Sequence, residues 1–231
     1  MNYLVFGASG TLGQAVISQI VANGDEFVGV VRADKYDGLI EGNYVYNCDV
    51  SDADAVERSL TNIKNTCGVP DHVISCVGKS ERHDFVADSL ESWKDIFNVN
   101  YMGAVNMIHY ASKCMIEAGK SGSIILIGSG YGERCVPFLS SYCAGKGALA
   151  ALVKVLSTEL AQKNIRINLV TPGLFPSRMT KGFVQNENYI KQLLKHIPDG
   201  MLGNVDDLAK LIVFLTSKAC RHINGAKIVV D

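Results

Sequence analysis

The chain has 231 residues, of which 48% are hydrophobic, and its 22 basic and 23 acidic residues leave a formal net charge of −1. This length and composition suit one sizeable core, so we expect residues 1–231 to form a single domain. The balanced charge, with no basic run longer than two residues, argues against nucleic acid or a membrane surface as a partner.

The cysteines and histidines argue against two further kinds of site. The seven cysteines form no C-x-x-C pair, which is typical of free thiols in a reducing compartment. The five histidines show no ligand spacing, so no metal is predicted. The N-terminus opens on a strand-like run, and no apolar stretch is long enough to span a bilayer. We therefore expect a cytoplasmic protein.

Apolar runs alternate with helix-forming stretches along the chain. The predicted strands are 3–6, 26–32, 44–50, 71–78, 122–129, 165–173 and 226–231. The predicted helices are 13–24, 51–63, 89–119, 140–164 and 205–218. Near-continuous apolar strands separated by crossover helices are typical of a parallel sheet covered on both faces. The pattern therefore predicts an α/β fold, a single doubly wound Rossmann domain with a parallel seven-stranded sheet and helices on both faces.

The least patterned segment, residues 174–203, follows the sixth predicted strand. In doubly wound folds, ligands bind at the carboxyl edge of the sheet, where this segment begins. Long loops in compact domains are often functional. We therefore predict a substrate lid at about 174–203.

A glycine-rich stretch, GASGTLG, lies between the first predicted strand and the first predicted helix. Glycines there let the backbone approach a pyrophosphate, and the start of the helix offers free N–H groups to it. A tight turn without a ligand is the alternative, but the position after the first strand favours nucleotide binding. The residues expected to contact the cofactor here are Gly7, Ser9, Gly10, Thr11, Leu12 and Gly13.

Charged residues also end the second and third predicted strands. A carboxylate at the position of Arg32 would hold the ribose diol of NAD, whereas an arginine can pair with a 2′-phosphate, and Lys35 lies close behind. A solvated charge is the alternative, but the absence of a carboxylate favours NADP(H) over NAD(H). Asp49 can accept a hydrogen bond from the adenine amino group, or it can cap the next helix, as Ser51 also can.

Tyr142 and Lys146 lie four residues apart at the start of a predicted helix, which places both on one face. A nearby ammonium group stabilises a phenolate. Lys146 is therefore expected to lower the tyrosine pKa from about 10 toward neutrality, which makes Tyr142 a usable general acid or base. Such pairs also occur by chance. Ser129, however, ends the preceding strand, and its hydroxyl can hold a carbonyl oxygen beside the phenol.

Through these residues the chain resembles the short-chain dehydrogenase/reductase family almost end to end. The family's serine and its Tyr-x-x-x-Lys set match Ser129, Tyr142 and Lys146. Further matches follow the family order along the chain: Asn100 in NVNYMG; Arg166, Asn168, Pro172 and Gly173 in RINLVTPG; Ser177 in place of a threonine; and the ending INGAKIVVD.

The resemblance implies a role for each of these residues. The tyrosine protonates the substrate oxygen, the lysine binds the nicotinamide ribose and lowers the tyrosine pKa, the serine positions the carbonyl group, and the asparagine holds a water in a proton relay. Besides Tyr142 and Lys146, it implies cofactor contacts at Val50, Val77, Gly78, Pro172, Gly173, Phe175 and Ser177. It also implies a homo-oligomer, a tetramer or a dimer, formed through the two long helices.

The chain departs from the family pattern in three places. Phe6 and Thr11 replace a threonine and a glycine, so that GASGTLG resembles the motif of a larger, sugar-nucleotide-acting branch. That branch has an extra substrate domain, for which 231 residues leave no room. The motif SCVG at residues 75–78 replaces NNAG, which affects bracing of the sheet more than chemistry, and Gly128 replaces a frequent serine.

With the resemblance, the sequence predicts an NADPH-dependent oxidoreductase that reduces a ketone to a secondary alcohol, with the tyrosine as general acid. The nearest substrate type is a 3-oxoacyl thioester or a related biosynthetic intermediate, free or carrier-bound. Two alternatives stay open: an NAD-dependent secondary-alcohol dehydrogenase of the same family, and a non-catalytic NADP-binding sensor or scaffold. Arg32 counts against the first, and the intact catalytic set counts against the second.

Overall fold

Strands and helices alternate along the chain in the computed structural model, which describes residues 2–32, 44–134, 136–184 and 187–231. The strands are β1 (Asn2–Phe6), β2 (Glu26–Val31), β3 (Val45–Asn47), β4 (His72–Ser75), β5 (Gly122–Ile127), β6 (Ile165–Pro172) and β7 (Lys227–Val230). The helices are α1 (Thr11–Ala22), α2 (Ala53–Cys67), α3 (Leu90–Phe97), α4 (Gly103–Glu117), α5 (Ser140–Ala161), α6 (Lys181–Val184), α7 (Glu187–Leu194) and α8 (Val205–Thr216).

The strands form one parallel sheet in the order β3-β2-β1-β4-β5-β6-β7. The predicted doubly wound α/β fold with seven parallel strands is therefore confirmed. The strand order reverses between β1 and β4, where Phe6 is paired with Ser75. Crossover connections leave these two strands in opposite directions, so a crevice opens at their carboxyl ends.

Helices cover both faces of the sheet. One core cluster joins the sheet to α2, α4 and α5 through residues such as Leu60, Met107 and Val153. The other joins it to α1 and α8 through residues such as Ile20 and Ile212. Because both faces are buried, the strands need apolar side chains in both directions, which explains their unbroken apolar runs.

The structure corrects three sequence-based boundaries. The predicted helix 89–119 is two helices, α3 and α4, joined by a π-helical turn at Asn98–Met102. The predicted strand 44–50 is paired only over Val45–Asn47, because the residues after it leave the sheet and line a cavity. The segment 174–203 contains α6 and α7.

Among the described residues, no helix combines the length and the apolar character that crossing a membrane requires.

Candidate active site

A cavity of about 630 Å³ opens at the carboxyl edge of the sheet. Its walls come from the glycine-rich turn, the ends of several strands, the start of α5 and the start of the segment 174–203. The predicted site residues that line it are Gly7, Ser9, Gly10, Thr11, Leu12, Arg32, Asp49, Val50, Val77, Gly78, Ser129, Tyr142, Lys146, Pro172, Gly173, Phe175 and Ser177. The structure thus gathers almost all of the predicted set around one space. Gly13 and Asn100 are the members that do not line it.

The glycine-rich turn depends on close backbone packing. Gly7 has a φ of +74°, and a Cβ there would lie 2.9 Å from the backbone carbon of Cys76. A Cβ on Gly13 would lie 2.3 Å from the carbonyl oxygen of Gly7. Gly13 therefore lets α1 approach the turn and does not itself face the cavity. Gly10 precedes α1 and has no side chain to cap the first N–H groups of the helix, and both Gly10 and Thr11 line the cavity.

Arg32 and Asp49 lie together at one end of the cavity, with Nη1 of Arg32 3.9 Å from Oδ2 of Asp49. Burial raises the pKa of Asp49, but hydrogen bonds from Ser51 and the charge of Arg32 outweigh it and hold the pKa below its ordinary value. The capping alternative for Asp49 and Ser51 is wrong, because α2 is capped by Asp52, whose Oδ1 accepts from the N–H of Ala55 at 3.1 Å. Lys35 lies outside the described residues.

Ser129, Tyr142 and Lys146 meet at the other end of the cavity. Tyr142 is 8% exposed, and the side chain of Ser129 lies close enough to its hydroxyl to lower the pKa of the phenol. Lys146 is 5% exposed, and its ammonium group donates to the carbonyl oxygens of Ile127 at 2.8 Å and Val77 at 3.4 Å. The lysine is thus fixed beneath the cavity by two strand ends.

The prediction that Lys146 lowers the pKa of Tyr142 is wrong for this structure. Burial raises the pKa of Tyr142 above its ordinary value, and the side chain of Ser129 opposes this only in part. Lys146 is not among the groups that lower it in the described part of the chain. Burial also lowers the pKa of Lys146 itself to about 8. The physical reason is that both groups are shielded from water, which disfavours the charged form of each.

Small residues in α5 let the elements that carry the predicted catalytic residues pack closely. Gly145 and Gly147 flank Lys146. A Cβ on Gly145 would lie 3.2 Å from Cβ of Asn100, and one on Gly147 would lie 2.9 Å from the carbonyl oxygen of Gly132. Gly132 ends the short 3₁₀ turn that follows Ser129. The glycines therefore let the π-helical turn and the serine-bearing loop approach the helix that carries Tyr142 and Lys146.

Asn100 lies in the π-helical turn and is 2% exposed. Its Oδ1 accepts from the N–H of Lys79 at 3.1 Å, and its Nδ2 donates to the carbonyl oxygens of Lys79 at 2.6 Å and Ile96 at 2.9 Å. The side chain thus braces the loop after β4. That loop includes Gly78, where a Cβ would lie 3.6 Å from Nζ of Lys146.

Sequence reasoning missed several residues of the cavity wall, of which Lys79, Arg178 and Met179 are the largest. The available signal for Arg178 was its place in the predicted lid, directly after Ser177. The two ends of this segment lie together, since the N–H of Gly203 donates to the carbonyl oxygen of Leu174 at 3.1 Å.

The described residues contain no group of three or more His, Cys, Asp or Glu side chains that could hold a metal ion.

A family model described as enoyl-(acyl carrier protein) reductase matches residues 7–231. The chain belongs to the short-chain dehydrogenase/reductase family. Its membership and its oxidoreductase class, predicted from the motifs, are therefore confirmed. The cavity fits the nicotinamide dinucleotide of this family. The N-terminus of α1 lies at its wall, and the glycines of the turn leave room for the phosphate groups.

Curated relatives and solved structures agree with this assignment. The chain is 28% identical over 230 residues to 3-oxoacyl-(acyl-carrier-protein) reductase MabA of Mycobacterium tuberculosis, covering 100% of this chain and 91% of the relative. It is 30% identical over 238 residues to gluconate 5-dehydrogenase of Gluconobacter oxydans, covering 99% and 92%. A gluconate 5-dehydrogenase from Burkholderia cenocepacia, solved with NADP and tartrate, superposes with a TM-score of 0.91 at 26% identity and covers 100% of this chain and 93% of its own.

Proposed function

We propose that the protein reduces a ketone to a secondary alcohol with NADPH and that Tyr142 is the general acid. The observation that carries the proposal is the meeting of Tyr142, Ser129 and Lys146 at one end of a cavity whose other end holds Arg32. A non-catalytic sensor or scaffold would not need this assembly. The role of each residue follows from its place.

The glycine-rich turn and Arg32 would hold the dinucleotide, and its reduced nicotinamide would supply the hydride that the carbonyl carbon accepts. As negative charge builds on the substrate oxygen, Tyr142 donates its proton to that oxygen, and the hydroxyl of Ser129 holds the oxygen in reach. Burial keeps the pKa of Tyr142 high, so the phenol carries the proton that reduction requires at neutral pH. Lys146, one turn along α5, would hold the nicotinamide ribose, as the family resemblance implies. We also propose that Asn100 holds a relay water, as the family resemblance implies, while its side chain braces the loop at Lys79.

We propose a 3-oxoacyl thioester or a related intermediate, free or carrier-bound, as substrate, because MabA is a 3-oxoacyl-(acyl-carrier-protein) reductase. A sugar acid is the second candidate, since the relative from Gluconobacter oxydans is a gluconate 5-dehydrogenase. The test is a panel of acetoacetyl thioester, 5-ketogluconate and simple ketones with NADPH, followed by the loss of nicotinamide absorbance. Tyr142→Phe is the control. Failure of every ketone, together with NAD-dependent oxidation of a secondary alcohol, would contradict the proposed reaction.

We propose that Arg32 selects NADPH over NADH by pairing with the 2′-phosphate. A charge-assisted hydrogen bond contributes about 1.5–3 kcal/mol, so NADPH should bind roughly tenfold or more tightly than NADH. Arg32→Asp should reverse the preference, because it places a second carboxylate near Asp49 and the phosphate. Titration calorimetry with both cofactors measures this. Equal affinities in the wild type would contradict it.

We propose that residues 174–203 are a substrate lid on a single domain spanning 1–231. We also propose that the protein is a cytoplasmic homo-oligomer, a tetramer or a dimer. The family resemblance implies that the oligomer forms through the two long helices, on which Ile116 of α4 and Val155 of α5 are 40% and 58% exposed.

A further inference from the structure

We infer that Arg178 is a cofactor-binding residue that clamps the diphosphate of the dinucleotide against the N-terminus of α1. The inference rests on the dinucleotide binding proposed above and deepens it, because it ties the first residues of the lid to the phosphate site. The family resemblance implies a contact at Ser177 and none at the residue after it.

Arg178 already touches the glycine-rich turn at two points. Its backbone N–H donates to the hydroxyl of Thr11 at 3.2 Å, and its guanidinium donates to the carbonyl oxygen of Ser9. Thr11 is the first residue of α1, and both partners line the cavity. The guanidinium therefore lies beside the N–H groups that would receive a phosphate.

The turn that carries Arg178 is held by its own hydrogen bonds. The hydroxyl of Thr180 donates to the carbonyl oxygen of Phe175 at 2.8 Å, and it accepts from the N–H of Ser177 at 2.8 Å. A side chain presented from a braced turn loses less conformational freedom on binding than one on a loose loop.

The charges in the cavity favour this residue as the diphosphate partner. The first turn of α1 contains no acidic residue, and a helix N-terminus carries only about half a positive charge, whereas a diphosphate carries two negative charges. The guanidinium of Arg178 donates to the carbonyl oxygen of Ser9 in the glycine-rich turn. Exchanging that acceptor for phosphate oxygens converts a neutral hydrogen bond into a charge-assisted one, for which the planar guanidinium fork is well shaped.

The experiment separates the diphosphate from the 2′-phosphate. Dissociation constants for NADPH and NADH are measured by calorimetry on the wild type, Arg178→Gln, Arg32→Gln and Lys163→Gln. Arg178→Gln should weaken both cofactors about tenfold or more, because both contain the diphosphate. Arg32→Gln should weaken NADPH alone. Lys163→Gln, which removes an exposed charge before β6 at the opposite edge of the sheet, should change neither.

A second measurement distinguishes a direct contact between Arg178 and the diphosphate from an indirect effect of Arg178 on the fold of the site. ADP and adenosine are compared as competitors of NADPH, since only ADP contains the diphosphate. A direct contact predicts that Arg178→Gln weakens ADP and leaves adenosine unchanged. Equal weakening of both, or dinucleotide affinities within twofold of the wild type, would overturn the inference while the proposed function stands. A wild type that binds neither dinucleotide would contradict the proposed function and the inference together.

Discussion

Tyr142 holds its proton more tightly here than a phenol in water does, because it is buried among apolar groups. The phenol is therefore protonated at neutral pH, which is the state from which a proton donor starts. Lys146, with a pKa lowered to about 8, still carries its charge at neutral pH. Substitutions of the two residues should therefore have different effects on turnover and on cofactor affinity.

At the residue scale, Tyr142→Phe should keep the ring and its packing but remove the transferable proton. Turnover should fall by about 10²–10⁴, with NADPH affinity nearly unchanged. Lys146→Met should lower cofactor affinity and, with it, turnover, because it removes the proposed contact with the nicotinamide ribose. Steady-state kinetics and calorimetry on both variants check this. If Tyr142→Phe turns over within a few-fold of the wild type, the phenol is not the acid.

At the scale of elements, the arrangement of the predicted catalytic set depends on how closely the Ser129 loop approaches α5. Gly147→Ala should push Gly132 away, because the new Cβ would lie 2.9 Å from its carbonyl oxygen. We expect turnover to fall about tenfold or more, since a small misplacement of a catalytic group is costly, with a modest loss of stability. The control is Ala151→Ser, which adds one atom on the exposed face of the same helix. Equal kinetics for the two variants would contradict the packing argument.

The lid is the second element with a direct test. If residues 174–203 close over the substrate, their amide hydrogens should exchange rapidly without ligand and become protected with cofactor and substrate bound. Hydrogen exchange followed by mass spectrometry measures this on peptides of the segment, with peptides of β5 as an internal reference. Protection that does not change with ligand would indicate a structural insertion.

At the scale of the whole molecule, His72 links global stability to acid. Burial, above all, lowers its pKa from 6.5 to about 4, against the charge of Asp71. Between these two pKa values the unfolded chain therefore binds a proton that the folded chain does not bind. The contribution of His72 to the free energy of unfolding is fully present above about pH 6.5 and is lost as the pH drops toward 4. At pH 5 the free energy of unfolding is lower by about 2 kcal/mol for this reason.

His72→Phe, which keeps a ring beside Tyr3, should remove that loss. Urea unfolding at pH 8 and pH 5 on both proteins gives the comparison, and the common titration of other groups cancels. The wild type should lose about 2 kcal/mol more than the variant between the two pH values. Parallel losses would show that His72 is not the acid-sensitive group.

The sequence by itself determined the sheet and the glycine-rich turn, and it predicted the catalytic set. These features are local or periodic. Unbroken apolar runs require burial on both faces, a glycine pattern marks a helix approached by phosphate, and Tyr142 and Lys146 share a helix face through their spacing alone.

Only the tertiary structure decided the rest, because it depends on contacts between residues distant in the chain. The π-helical turn at Asn98–Met102 interrupts a continuous helical pattern and brings Asn100 to Lys79. Asp52, not Asp49 or Ser51, proved to be the cap of α2. The pKa of Tyr142 is set by burial, which spacing along a helix does not reveal. Arg178 reaches the glycine-rich turn across 169 residues of sequence, and no local pattern marks such a contact.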